Sequence, residues 1–123
     1  MANILVVDDD EHVRLVIKRL LTMGGHTVET ASDGDDGLNK IARGKYDLLI
    51  IDELMPKITG TEAVGIIRAS KHYPDLIILM LTGASVTSSV NAAYEAGIDG
   101  YVIKPFFPDR LMARIDTLLA KTA

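Results

Sequence analysis

Five side chains at the ends of apolar runs have the types needed to move a phosphoryl group. Asp8 and Asp9 follow Ile4-Leu5-Val6-Val7, Asp52 closes Leu48-Leu49-Ile50-Ile51, Thr82 follows Leu76 to Leu81, and Lys104 follows Tyr101-Val102-Ile103. A carboxylate at the mouth of a buried strand is costly unless something there uses its charge. Carboxylates brought together repel, which raises a pKa or calls for a cation. With oxygen donors and no His or Cys among these strand ends, that cation is hard, and Mg²⁺ is the natural choice. Mg²⁺ on carboxylates and a phosphoryl oxygen neutralises charge during transfer. Lys104 supplies a point charge for another phosphoryl oxygen, and Thr82 a hydroxyl donor. Asp52 is then the nucleophile, forming an aspartyl-phosphate.

These groups must be carried by strands. Ile4 to Val7 reads as a short buried strand opening into the acidic loop Asp8-Asp9-Asp10, one member of which can cap the next helix. Val13, Val16, Ile17, Leu20 and Leu21 recur at helical spacing and predict a helix to about Met23, stopped by Gly24-Gly25. Thr27 to Thr30 alternates and predicts a more exposed strand. Ser32-Asp33-Gly34 reads as turn and cap for a short helix with Leu38, Ile41 and Ala42. The third strand, Asp47 to Ile51, stops at Asp52 and gives way to a loop, Met55 to Gly60, punctuated by Pro56 and Gly60. Ala63, Val64, Ile66 and Ile67 mark a third helix closing near His72-Tyr73-Pro74. Leu76 to Leu81 is the longest apolar run and predicts a central strand. Gly83-Ala84-Ser85 is a loop, and Val86, Val90, Ala93 and Tyr94 predict a helix stopped by Gly97. Tyr101 to Ile103 is a fifth strand, and Pro108 starts a last helix with Leu111, Met112, Ile115, Leu118 and Leu119. Five strands alternating with five helices predict an α/β layer fold with a parallel sheet covered on both faces. Ligands bind beyond the carboxyl ends of such strands. Four strands deliver polar groups to that edge; the second ends blandly in Ala31.

With 123 residues, of which 48% are hydrophobic, the chain can close one core as a single domain, 1–123. The absence of Cys excludes disulfides, thiolate metal sites and thiol catalysis. A net charge of -4 with no Lys/Arg block argues against nucleic-acid binding. No apolar run approaches a membrane span, and the first is too short and lacks the basic flank of a signal peptide. The expectation is a soluble cytoplasmic protein. No Gly-x-x-x-x-Gly-Lys or Gly-x-Gly-x-x-Gly follows any strand, which weakens a nucleotide-binding reading.

The stretches Ile4-Leu5-Val6-Val7-Asp8-Asp9, Asp47 to Asp52, Met55-Pro56 with Gly60, Leu81-Thr82 and Gly97-Ile98-Asp99-Gly100-Tyr101-Val102-Ile103-Lys104-Pro105-Phe106 resemble, in order and spacing, the receiver domain of two-component response regulators, in the single-domain style of the bacterial chemotaxis regulator. The resemblance implies a doubly wound, flavodoxin-like sheet of order 2-1-3-4-5. It implies that Asp52 is the phosphoacceptor, taking its group from a sensor histidine kinase or histidine phosphotransfer protein. Asp8 and Asp9 would hold Mg²⁺ with Asp52 and the backbone carbonyl of Leu54. Thr82 and Lys104 would grip the phosphoryl group, and Tyr101 would be an aromatic switch moving with Thr82. Lys104-Pro105 would be a cis peptide. A downstream protein target would be met through the fourth helix, fifth strand and fifth helix.

Some residues depart from that pattern. Glu53 follows the acceptor where the family usually has an apolar residue, and strand alternation points it away from Asp52. Leu54 and Ala84 occupy rim positions that tune phosphoryl lifetime in the family. Neither can position an attacking water by hydrogen bonding, so slow self-dephosphorylation is expected. A small phosphatase of the haloacid-dehalogenase type would also use Asp, Mg²⁺, Thr and Lys, with Asp8-Asp9-Asp10 as its Asp-x-Asp. There, however, the nucleophile ends the first strand, and 123 residues leave no room for the usual cap domain. A stand-alone regulator and an excised module fit the chain equally well.

Overall fold

The computed structural model describes residues 1–83 and 87–120; the expected rim residue Ala84, loop residue Ser85 and helix residue Val86 lie outside them. The chain alternates β1 (Asn3–Val7), α1 (Glu11–Met23), β2 (Thr27–Ala31), α2 (Gly34–Arg43), β3 (Leu48–Asp52), α3 (Gly60–Ser70), β4 (Ile77–Thr82), α4 (Thr87–Ala96), β5 (Gly100–Ile103) and α5 (Pro108–Ala120). The strands form one parallel sheet in the order β2-β1-β3-β4-β5. That is the expected doubly wound topology.

Strand alternation divides the core between two faces. Leu5, Val7, Leu49, Ile51, Ile78 and Met80 pack with Ile41 of α2, Ala63, Val64 and Ile67 of α3, and Ala93 of α4. Ile4, Val6, Leu48, Ile50, Leu79 and Leu81 pack with Ile17 and Leu21 of α1 and Leu111, Ile115 and Leu118 of α5. Because helices cover both faces, every residue of β3 and β4 is buried, which is why these strands read as continuous apolar runs. Edge strand β2 is covered less and keeps its alternation.

Local signals set most boundaries. Asp10 caps α1 by accepting from the backbone N–H groups of His12 and Val13, and Gly24 closes the helix. Asp33 caps α2. Thr59 and Glu62 form a reciprocal capping box at α3. That helix ends earlier than Pro74 suggests, because Lys71 adopts the left-handed conformation (φ 59°) just past Ser70. A guanidinium holds the following turns together. Arg68 donates to the carbonyls of Tyr73, Leu76 and Gly97 and pairs with Asp99 at 3.1 Å.

Candidate functional site

The parallel register brings the acidic groups together. Val7 pairs with Ile51, so the next residue on each strand, Asp8 and Asp52, leaves the sheet side by side. Both continue the alternation of Val6 and Ile50 and therefore share the α1/α5 side. Asp8 is fully buried and Asp52 is 4% exposed, whereas Asp9 is exposed at the mouth. One carboxylate oxygen from each of the three lies within 4.8 Å of the others. An oxygen-only donor set of this charge suits a hard divalent cation rather than a soft one. Asp10 has a different task, the helix cap, so the acidic triplet divides into a cap and a site.

Lys104 reaches this cluster from β5, the edge strand on the far side of β4. Its backbone N–H donates to the Thr82 carbonyl at 2.7 Å, tying the ends of β4 and β5. Its ammonium lies 2.8 Å from Asp8 Oδ2 and 3.2 Å from Asp52 Oδ1. The Lys104-Pro105 bond is cis, as expected. Thr82 is buried at the end of β4, one residue beyond the Asp52–Leu81 pair. Arg14 of α1, which no sequence signal marked, donates to the Asp8 carbonyl at 2.7 Å. Asp8 Oδ1 accepts from the Asp10 N–H at 2.9 Å.

Charge balance within the cluster falls short for Asp52. Burial, then the neighbouring Asp8 carboxylate, push its carboxyl up to about 6, and the Lys104 ammonium offsets only part of this. For Lys104 the largest single influence, burial, favours the neutral amine. The hydrogen bond to Asp8 and the charges of Asp52 and Asp8 outweigh it, so the ammonium is held above its ordinary range. Near neutral pH the site thus contains an ionised but strained carboxylate beside a firmly charged lysine.

Two other predicted residues stand around this centre. Leu54 follows Asp52 by two positions, and its side chain is 69% exposed on the rim. Tyr101 is half-buried on β5 and meets Tyr94 of α4 edge to face, with ring centroids 6.0 Å apart. It lines a small cavity with Thr82, Glu53, Val90, Ala93 and Ile98. Glu53 turns to the α3 side, as alternation predicts, and there accepts from the backbone N–H and the hydroxyl of Thr61, both at 2.7 Å. The Gly60 signal also has a steric cause: a Cβ there would lie 2.4 Å from the Asp52 carbonyl oxygen. Among the described residues no helix is long and apolar enough to cross a membrane.

Comparison with known proteins agrees with this geometry. The model of the response regulator receiver domain matches residues 4–116. The response regulator MprA of Mycobacterium leprae is 41% identical over 120 residues, which are 98% of this chain and 52% of that protein. The chain thus spans about half the length of the curated relatives it matches. Among solved structures, the chemotaxis protein CheY4 of Vibrio cholerae superposes with a TM-score of 0.91 at 34% identity, covering 96% of this chain and 98% of that one. The response regulator TrrA of Thermotoga maritima, solved in complex with Mg²⁺ and beryllium fluoride, superposes with a TM-score of 0.85 at 39% identity, covering 96% and 99%. The sheet order, the buried acidic cluster and these matches agree, and the chain belongs to the response regulator receiver domain family.

Proposed function

We propose that Asp52 accepts a phosphoryl group from a phosphohistidine on a sensor kinase or phosphotransfer protein. The observation that carries this reading is the convergence of Asp8, Asp9, Asp52 and Lys104, with the Lys104 ammonium within 3.2 Å of both buried carboxylates. An Asp52 carboxylate oxygen attacks phosphorus, the P–N bond breaks, and the donor imidazole leaves with the bonding pair. Lys104 exchanges part of its contact with Asp52 for a phosphoryl oxygen, and the Thr82 hydroxyl donates to another. Asp8, Asp9, Asp52 and the Leu54 carbonyl would hold Mg²⁺, which would supply charge neutralisation at the phosphoryl oxygens. The chain catalyses only its own phosphorylation and dephosphorylation, in the cytoplasm.

The output is a change in binding surface. Thr82 and Tyr101 line the same small cavity, so movement of Thr82 toward a phosphoryl group is coupled sterically to the ring. Around Tyr101, the exposed Tyr94 of α4, Ile103 of β5 and Phe107, just before α5, form an apolar face that suits a protein target. Adding beryllium fluoride with Mg²⁺ tests the switch by amide NMR. Shifts at Thr82, Tyr101 and along α4 are expected, with enhanced capture of the target. Changes confined to Asp8, Asp9 and Asp52 would show that the site binds without switching.

A further inference from the structure

Glu53 occupies the step between the phosphoacceptor and the loop that follows it, and its bonds tie both ends of that loop. Its backbone N–H donates to the Leu81 carbonyl at 2.9 Å, which extends the β3–β4 pairing one residue beyond Asp52. Its carbonyl accepts from the Gly60 N–H at 2.9 Å. Its carboxylate accepts from the Thr61 N–H and hydroxyl, each at 2.7 Å.

A helix opens with four N–H groups that have no partner within it. In α3 the Thr59 and Glu62 groups are satisfied by the capping box, and the Gly60 and Thr61 groups both go to Glu53. The anionic side chain also sits at the positive end of the helix dipole. One residue therefore ends the strand, caps the next helix and closes residues 54–59 into a short bridge. Gly60 lets that closure come within van der Waals range of the Asp52 backbone.

We propose that Glu53 is a positioning residue for the phosphorylation site, clamping the Leu54 backbone beside Asp52 through Thr61. This rests on the proposed function, in which the Leu54 carbonyl is a Mg²⁺ ligand. Without the clamp, the bridge samples more conformations and a smaller fraction holds that carbonyl in place. Apparent Mg²⁺ affinity falls by that fraction, while the acceptor, Lys104 and Thr82 are unchanged. Groups that orient metal ligands at one remove typically contribute about tenfold or more to affinity.

The test is a Mg²⁺ titration of the unphosphorylated protein, followed by amide NMR at Asp9 and Leu54. The Mg²⁺ dependence of phosphorylation by acetyl phosphate is measured alongside. Glu53→Leu should weaken Mg²⁺ binding about tenfold and raise the half-saturating Mg²⁺ for phosphorylation equally, leaving the rate at saturating Mg²⁺ near wild type. Glu53→Gln retains an acceptor for the Thr61 N–H and a donor for its hydroxyl, and should restore most of the affinity. Thr61→Val keeps the backbone bond and loses the hydroxyl bond, so it should fall between them. It also serves if Glu53→Leu does not fold. Wild-type Mg²⁺ affinity in both Glu53→Leu and Thr61→Val would overturn the clamp. So would a Gln variant as impaired as Leu, which would assign the effect to charge. A wild-type protein that takes up neither Mg²⁺ nor phosphoryl would instead overturn the proposed function, and the clamp's role with it.

Discussion

Replacing Asp52 with Asn should make the protein more stable at neutral pH in the absence of divalent cations. In the fold the Asp52 carboxyl is raised from 3.8 to about 6, first by burial and then by the Asp8 charge. At about 1.4 kcal/mol per pKa unit, holding it ionised in the folded state costs about 3 kcal/mol. The contact with Lys104 is already contained in that net shift. Asn keeps the shape and removes the charge, and Lys104 keeps its 2.8 Å partner Asp8. A carboxyl that binds its proton more tightly when folded makes the native state lose stability as pH rises between its unfolded and folded values. The wild-type deficit should therefore be small near pH 4, open between about 4 and 6, and stay flat above about 7. Urea unfolding from pH 4 to 8 in EDTA, followed by circular dichroism, measures it. At pH 7.5 the Asn variant should be more stable by about 3 kcal/mol, and a thermal scan should place its midpoint about 10 °C higher. Added Mg²⁺ should stabilise the wild type and narrow the gap. A difference independent of pH, or an Asn variant less stable than wild type at pH 7.5, would refute the strained-carboxylate reasoning.

Other substitutions probe the scaffold and the rim. Gly60→Ala would place a methyl 2.4 Å from the Asp52 carbonyl oxygen. It should destabilise by about 3 kcal/mol in chemical denaturation and slow phosphorylation, whereas Gly65→Ala in the same helix meets nothing within 4 Å and should be tolerated. Arg68→Ala removes donors to three carbonyls and to Asp99 and should cost about 3 kcal/mol, without changing the Mg²⁺ dependence of phosphorylation. Leu54 is apolar and exposed at the site's rim. The phosphorylated protein should therefore lose its label slowly, and Leu54→Asn should shorten the lifetime by offering a hydrogen bond to water; a lifetime of seconds in the purified wild-type protein with Mg²⁺ would contradict this.

The fold was legible because most boundaries carried their own signal. The runs ending in Asp8, Asp52 and Thr82 lack alternation, and covering of both sheet faces explains why. Gly24, Asp33 and Pro108 mark helix ends through local backbone and side-chain chemistry. The site was legible because parallel strands deliver their carboxyl ends to one edge, so residues far apart in sequence share a place. Contacts that form only when a loop closes or a turn folds back were not legible. Arg68 resembles any helix-terminal cation until the turns at Tyr73 and Gly97 fold back onto it, and Arg14 similarly gives no hint of the Asp8 carbonyl. Alternation gave the direction of Glu53 but not its partner, because Thr61 reaches it only when the intervening loop closes. The division of labour among Asp8, Asp9 and Asp10 depended on which one fell at the first helical turn, a matter of a single residue.

The proposed function requires that Asp52, rather than another carboxylate of the cluster, takes the phosphoryl group. Incubation with acetyl phosphate and Mg²⁺, reduction of the acyl phosphate with borohydride and peptide mapping tests it directly. One labelled site at Asp52, absent without Mg²⁺ and absent in Asp52→Asn, is the predicted result. Label at Asp8, or repeated turnover of a phosphate ester, would contradict the account and favour a phosphatase built on the first strand.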